Sequence, residues 1–106
     1  MADHELAERL AGLASRVDNL VHLTLGEDSR ILEDQQDRLV KYALVAIAQE
    51  MDATNKKYQA AIRRVRDATE AIGDADERIQ NVADVITLVA KALDAAEALL
   101  KKAALG

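Results

Sequence analysis

From Leu6 onward the chain sets apolar residues at alternating steps of four and three: Leu6, Leu10, Leu13, Val17, Leu20, and then Thr24 in the same register. Polar residues fill most of the intervening positions, so the segment predicts a helix over residues 4–25 whose seam packs along a second helix. Asp3 reads as its N-cap, and Gly26, directly after Leu25, as its C-terminal stop. The following "GEDS" offers Asp28 or Ser29 as the next N-cap, which predicts a tight reversal over residues 25–29.

Residues 30–72 contain neither glycine nor proline, and their distal half repeats the seam at Met51, Asn55, Tyr58, Ile62, Val65, Thr69 and Ile72. The one candidate interruption is "MDATNKK", where Asp52, Thr54 and Asn55 are weak helix formers able to cap a new start. Weak propensity alone seldom breaks a helix that packing supports, so one long helix over 30–72 is the expectation. In "AIGDADERI", Gly73 suits a helix end, Asp74 the next N-cap, and Glu77 completes a capping-box spacing. A third helix over 75–105 then carries Ile79, Val82, Ile86, Val89, Leu93, Ala96, Leu100 and Ala103 on one seam. Leu88, Ala92, Ala95 and Leu99 form a second seam beside it, giving a wide apolar face that touches more than one neighbour.

One stretch departs from this amphipathic pattern. "LVKYALVAIAQEM", Leu39 to Met51, is apolar at ten of thirteen positions, nearly all the way round a helix. At 1.5 Å per residue the three helices would measure about 33, 65 and 46 Å, so the first and third overlap on the central one only near its middle. Beyond that overlap the molecule would be two helices thick and would leave apolar surface open.

Charge suggests what covers it. Residues 27–37 hold Glu27, Asp28, Glu33, Asp34 and Asp37 against Arg30, whereas 56–66 hold Lys56, Lys57, Arg63, Arg64 and Arg66 with no acid. Two copies of the long helix laid antiparallel, with the dyad near Ile47, would set each acidic end beside a basic end and stack the apolar centres. The sequence therefore predicts an all-α antiparallel bundle of three helices with a long central helix, completed by homodimerisation. Its expected interface is Leu39, Tyr42, Leu44, Val45, Ile47 and Met51, flanked by Glu33, Asp34, Asp37, Lys56, Lys57, Arg63, Arg64 and Arg66. The competing architecture breaks the central helix near residues 52–55 and gives a monomeric up-down-up-down four-helix bundle.

Composition agrees with the fold class. The 106 residues suit one domain with its own core; there is no proline, phenylalanine, tryptophan or cysteine, and alanine and leucine dominate. Without cysteine there is no disulfide framework and no thiolate chemistry, which suits a reducing compartment, with the cytosol as the default. The opening "MADHELAERLAGLAS" has acids where a secretory signal carries bases, and the longest apolar run, Tyr42 to Ala48, is far short of a membrane span.

Candidate chemistry is thin. Asp18 and His22 stand at the four-residue spacing that could set two metal ligands on one turn, and the plainer expectation is a solvated pair. The acids cluster at surface spacings, and there is no Glu-x-x-His pair, no glycine-rich phosphate loop and no nucleophile set beside a base. "KKYQAAIRRVR" gathers five positive charges on one helix, but the net charge of −5 and the two tyrosines argue against nucleic acid. Asn55 and Thr69, polar on an apolar seam, read as register-setting residues more readily than as a pocket lining. Tyr42 and Tyr58 read equally as interface anchors and as core residues whose hydroxyls reach out.

The expected function is a non-enzymatic helical module that binds another protein through exposed helix faces: an adaptor, chaperone, assembly subunit or neutralising, immunity-type partner. No metal or other cofactor is expected. The alternative is a small-molecule or lipid-binding bundle.

Overall fold

The computed structural model describes residues 4–48, 55–77 and 82–105, with side chains for all of these except 74–77 and 101–105. Four helices account for nearly all of them: α1 (Glu5–Leu23), α2 (Glu27–Ile47), α3 (Lys56–Glu77) and α4 (Val82–Leu105). The seam read from the sequence is the inner face of α1: Leu6, Leu10, Leu13, Val17, Leu20 and Thr24 are all buried. His4 occupies the N-cap position without a side-chain cap, and Asp3, the expected cap, lies outside the described residues. The hydroxyl of Tyr58 on α3 instead accepts a hydrogen bond from the Leu6 amide, satisfying one of the free donors of that helix end.

The reversal between α1 and α2 falls where the sequence placed it, with a different division of labour. Gly26 does not end α1. It takes φ of 70° at the N-cap position of α2, which begins at Glu27, so Asp28 and Ser29 lie inside the helix instead of capping it. A left-handed φ suits glycine, and the acids Glu27 and Asp28 complement the positive end of the helix dipole. Ser29 donates back to the Val21 carbonyl, and the buried Thr24 hydroxyl donates to the Leu20 and Val21 carbonyls, closing the last turn of α1.

The long central helix is not formed. α2 stops at Ile47, Asn55 is non-helical, and α3 starts at Lys56, so the described residues form four helices where three were expected. An unbroken helix over 30–72 would run about 65 Å, whereas the longest dimension of the molecule is 40 Å. Asn55 supplies the local reason. Its side-chain oxygen accepts from the amides of Lys57, at 2.8 Å, and Tyr58, at 3.4 Å, which makes it the N-cap of α3 and not a register residue in the core. The tertiary reason is burial: the break lets Tyr58, Ile62, Val65, Ala68 and Ile72 return to the core of their own chain, each large side chain contributing about 1.5–3 kcal/mol.

The expected boundary at Gly73 is also displaced. α3 continues through Gly73, Asp74 and Glu77, and Gly73 lacks a positive φ. Glycine inside a helix costs about 1 kcal/mol relative to alanine, less than the burial of Ile72 one position earlier returns. α4 begins at Val82, seven residues later than the third helix predicted from the sequence.

Round the bundle the order is α1, α2, α4, α3, since α1 packs on α2 and α3 while α4 packs on α3 and α2. Successive helices alternate in direction, yet α3 lies beside α1 and parallel to it: the start of α1 meets the start of α3 at Leu6 and Tyr58. α2 and α4 form the other parallel pair, joined where Gln35 donates to the Ile86 carbonyl and Arg38 meets Glu97. The two seams of α4 both serve this arrangement, with Val82, Val89, Leu93, Ala96 and Leu100 buried on one and Ala92 and Leu99 on the other. No helix among the described residues is long and apolar enough to cross a membrane.

Candidate interaction surface

The stretch Leu39 to Ile47 has three sides, and the bundle covers two of them. Leu39, Ala43 and Ala46 point into the core, with Leu39 fully buried and offering nothing to a partner. Tyr42 and Val45 are half-buried on the flank toward α4. Val40, Leu44 and Ile47 remain in solvent at 45, 65 and 57 % exposure. They recur at steps of four and three, so they make a stripe along the outer face of α2.

Beside that stripe lies a groove of about 340 Å³ between α1 and α2. Ala11, Ala14, Ser15 and Ala43 give it a floor of small side chains, Val40, Leu44 and Ile47 form one wall, and Asp18 and Gln36 close its far end. Gln36 donates to the Asp18 carboxylate across the helix pair at 3.2 Å, which fixes that end. Read toward the N-terminus, the stripe continues as Asp37 and Glu33, both exposed, so one seam of α2 is acidic in its first half and apolar in its second.

Of the interface expected from the sequence, Leu44 and Ile47 are on this face, Asp34 is exposed elsewhere on α2, and Met51 lies outside the described residues. Val40 and the α1 residues were missed, although the spacing 33, 37, 40, 44, 47 was available as a signal. The flank toward α4 is already occupied: the Arg38 guanidinium reaches Glu97 at 3.3 Å and lies 6.0 Å from the centre of the Tyr42 ring. The hydrogen bond to Tyr42 raises the Arg38 pKa above its already high ordinary value, so this cation stays charged at any working pH.

The basic residues are not collinear with the acidic ones. Lys56, Lys57, Arg63, Arg64 and Arg66 are exposed on α3, at the opposite corner of the bundle from α2, so no single helix carries both runs. Arg66 joins Arg9, Arg16, Thr69 and Glu70 around a smaller cleft of about 180 Å³ between α1 and α3, above Gly12 and Leu13. Arg9 is engaged there with Glu5 of its own helix at 3.0 Å. Thr69 donates to the Val65 carbonyl, so its hydroxyl serves the helix and not a core pocket.

His22 donates through Nδ1 to the backbone carbonyl of Asp18 at 2.8 Å, while the Asp18 carboxylate faces Gln36. Among the described residues no three His, Asp or Glu side chains gather in a way that could hold a metal ion. Comparison of the chain with protein-family models, with curated proteins and with solved structures finds no match, so the surface described above carries the functional reading.

Proposed function

We propose that this chain is a non-enzymatic helical interaction module, an adaptor, chaperone, assembly subunit or neutralising partner, that binds another protein on the α1–α2 face. The observation that carries this reading is the exposed stripe Val40, Leu44 and Ile47 beside a floor of alanines. Three large apolar side chains aligned in solvent beside a groove mark a surface that another molecule covers. The homodimer expected from an unbroken central helix loses its charge-register argument, because the acidic and basic runs sit on different helices at opposite corners.

The test is site-specific photo-crosslinking in the source cells, with a photoreactive residue at position 44 or at position 64. A discrete protein adduct at 44 and none at 64 is the expected result. Adducts absent at 44, or equal at both sites, would reject the α1–α2 face as the working surface.

A second reading, a small-molecule or lipid carrier, draws on the groove volume of about 340 Å³, which falls within the range of ligand pockets. Native mass spectrometry of the purified chain separates the two: a retained small molecule whose loss follows Leu44→Asp favours the carrier.

A further inference from the structure

The α2 seam is divided along its length, with Glu33 and Asp37 on its first half and Val40, Leu44 and Ile47 on its second. A groove that were only a patch of leftover apolar surface would carry no such order. α1 runs antiparallel beside it and repeats the division, with Asp18 at the acidic end and Ala11 and Ser15 at the apolar end. From Glu33 to Ile47 the seam spans about 21 Å of helix, close to four turns. The small floor allows an incoming helix to settle near the 8–10 Å interaxial distance of ordinary helix pairs.

We propose that this groove receives a basic amphipathic helix of another protein. Its apolar residues, at three-four spacing, rest on Val40, Leu44 and Ile47, and its lysines or arginines, further along the same face, lie over Asp18, Glu33 and Asp37. This rests on the reading of the chain as a protein-binding module and names the chemistry of its partner. The positive charges of α2 leave the first half of its seam negative, since Glu33, Asp34 and Asp37 outnumber Arg30 and Lys41. Lys41, exposed one turn from Asp37, is not part of the groove lining, and Arg38 is engaged with Glu97 on the flank toward α4.

Neither α2 nor α3 of a second copy meets the requirement. Its longest run of bases, Lys56, Lys57, Arg63, Arg64 and Arg66, sits on α3, and the apolar face of that helix, Tyr58, Ile62 and Val65, is buried in its own core. α3 therefore presents bases without an apolar seam, and α2 presents its apolar seam in line with acids. A basic amphipathic helix brings both together, and the match of charge sign selects it against an acidic one.

The probe is a designed helical peptide of about four turns, with leucines at three-four spacing in one half and lysines and arginines along the same face of the other, made in both chain directions. Its control carries glutamate at every basic position. Amide chemical shifts of the intact chain are followed during titration, and light scattering gives the mass of the chain alone. The basic peptide should shift amides of residues 11–18 and 33–47, and the glutamate peptide should not. Leu44→Asp, at a position two-thirds exposed, should leave thermal unfolding unchanged and weaken binding more than about tenfold. Glu33→Lys with Asp37→Lys should weaken it at low salt, with the difference closing as salt rises. Equal binding of both peptides, shifts on α3 and α4, or absence of binding would overturn the inference. So would a dimer that Leu44→Asp dissociates, which would make a second copy the occupant. A protein adduct at position 44 combined with no peptide binding would leave the module reading standing and sink only the basic helix.

Discussion

The hydroxyl of Tyr58 accepts a hydrogen bond from the amide of Leu6 at 3.2 Å, across 52 positions of the sequence. Leu6 lies in the first turn of α1, where backbone donors have no partner within the helix, and Tyr58 lies in the first turn of α3. One contact thus provides an acceptor for a helix end and sets two parallel helices in register. The ring is fully buried, so the hydroxyl is placed where water would otherwise have to reach.

Tyr58→Phe keeps the ring and removes the acceptor. The buried Leu6 amide is then unsatisfied, at a cost of about 1–3 kcal/mol. Urea unfolding followed by far-UV circular dichroism should show a lower midpoint with an unchanged slope. No loss of stability would mean that another acceptor serves the Leu6 amide.

Asn55 separates the two central helices. Asn55→Ala removes the acceptor for the Lys57 and Tyr58 amides and should cost about 1 kcal/mol. Asn55→Asp and Asn55→Ser, which keep a capping oxygen, should stay close to the parent in the same unfolding measurement.

How much of this could be read from the sequence depends on which force decided each element. The α1 seam was legible because burial decided it, and burial follows three-four spacing directly. The break before α3 was visible only as a weak cap at Asn55, because what favours the break is the return of Tyr58, Ile62 and Val65 to the core, a non-local gain. Gly73 misled for the converse reason. A glycine followed by Asp reads locally as a stop, while packing through Ile72 carries the helix past it. At the candidate surface Leu44 and Ile47 were legible from the excess of apolar residues, but Ala11, Ala14 and Ser15 were not, since the pairing of α1 with α2 alone makes them a floor.

Leu39 and Leu44 are five residues apart in one helix and should respond oppositely to truncation. Leu39 is fully buried, and Leu39→Ala should cost about 2–5 kcal/mol. Leu44, mostly exposed, should lose less than about 0.5 kcal/mol as alanine. Equal losses in chemical unfolding would show that α2 has a covered outer face in solution.

The glycines offer a second contrast. A Cβ at Gly73 would meet nothing within 4 Å, and its backbone is helical. Gly73→Ala should therefore stabilise the protein by about 0.5–1 kcal/mol. Gly26 also has space, but its φ of 70° penalises any L side chain, and Gly26→Ala should destabilise by about 1–2 kcal/mol. Thermal midpoints moving in opposite directions would confirm both assignments.

Gln35 is the buried polar side chain between α2 and α4. Its Nε2 donates to the Ile86 carbonyl at 3.0 Å, but its Oε1 is buried with no hydrogen-bond partner among the described residues. The Ile86 carbonyl, lying inside α4, keeps its helical bond when the glutamine is removed. Gln35→Leu therefore deletes an unsatisfied acceptor and leaves no new orphan, and should raise stability by about 1 kcal/mol. The glutamine also anchors the parallel α2–α4 pair at one height, and a leucine packs at several. Gln35→Leu should thus melt later yet broaden amide resonances along α2 and α4. A variant that is less stable than the parent would mean that Oε1 is satisfied in solution by an ordered water, and that the buried amide stabilises the bundle outright.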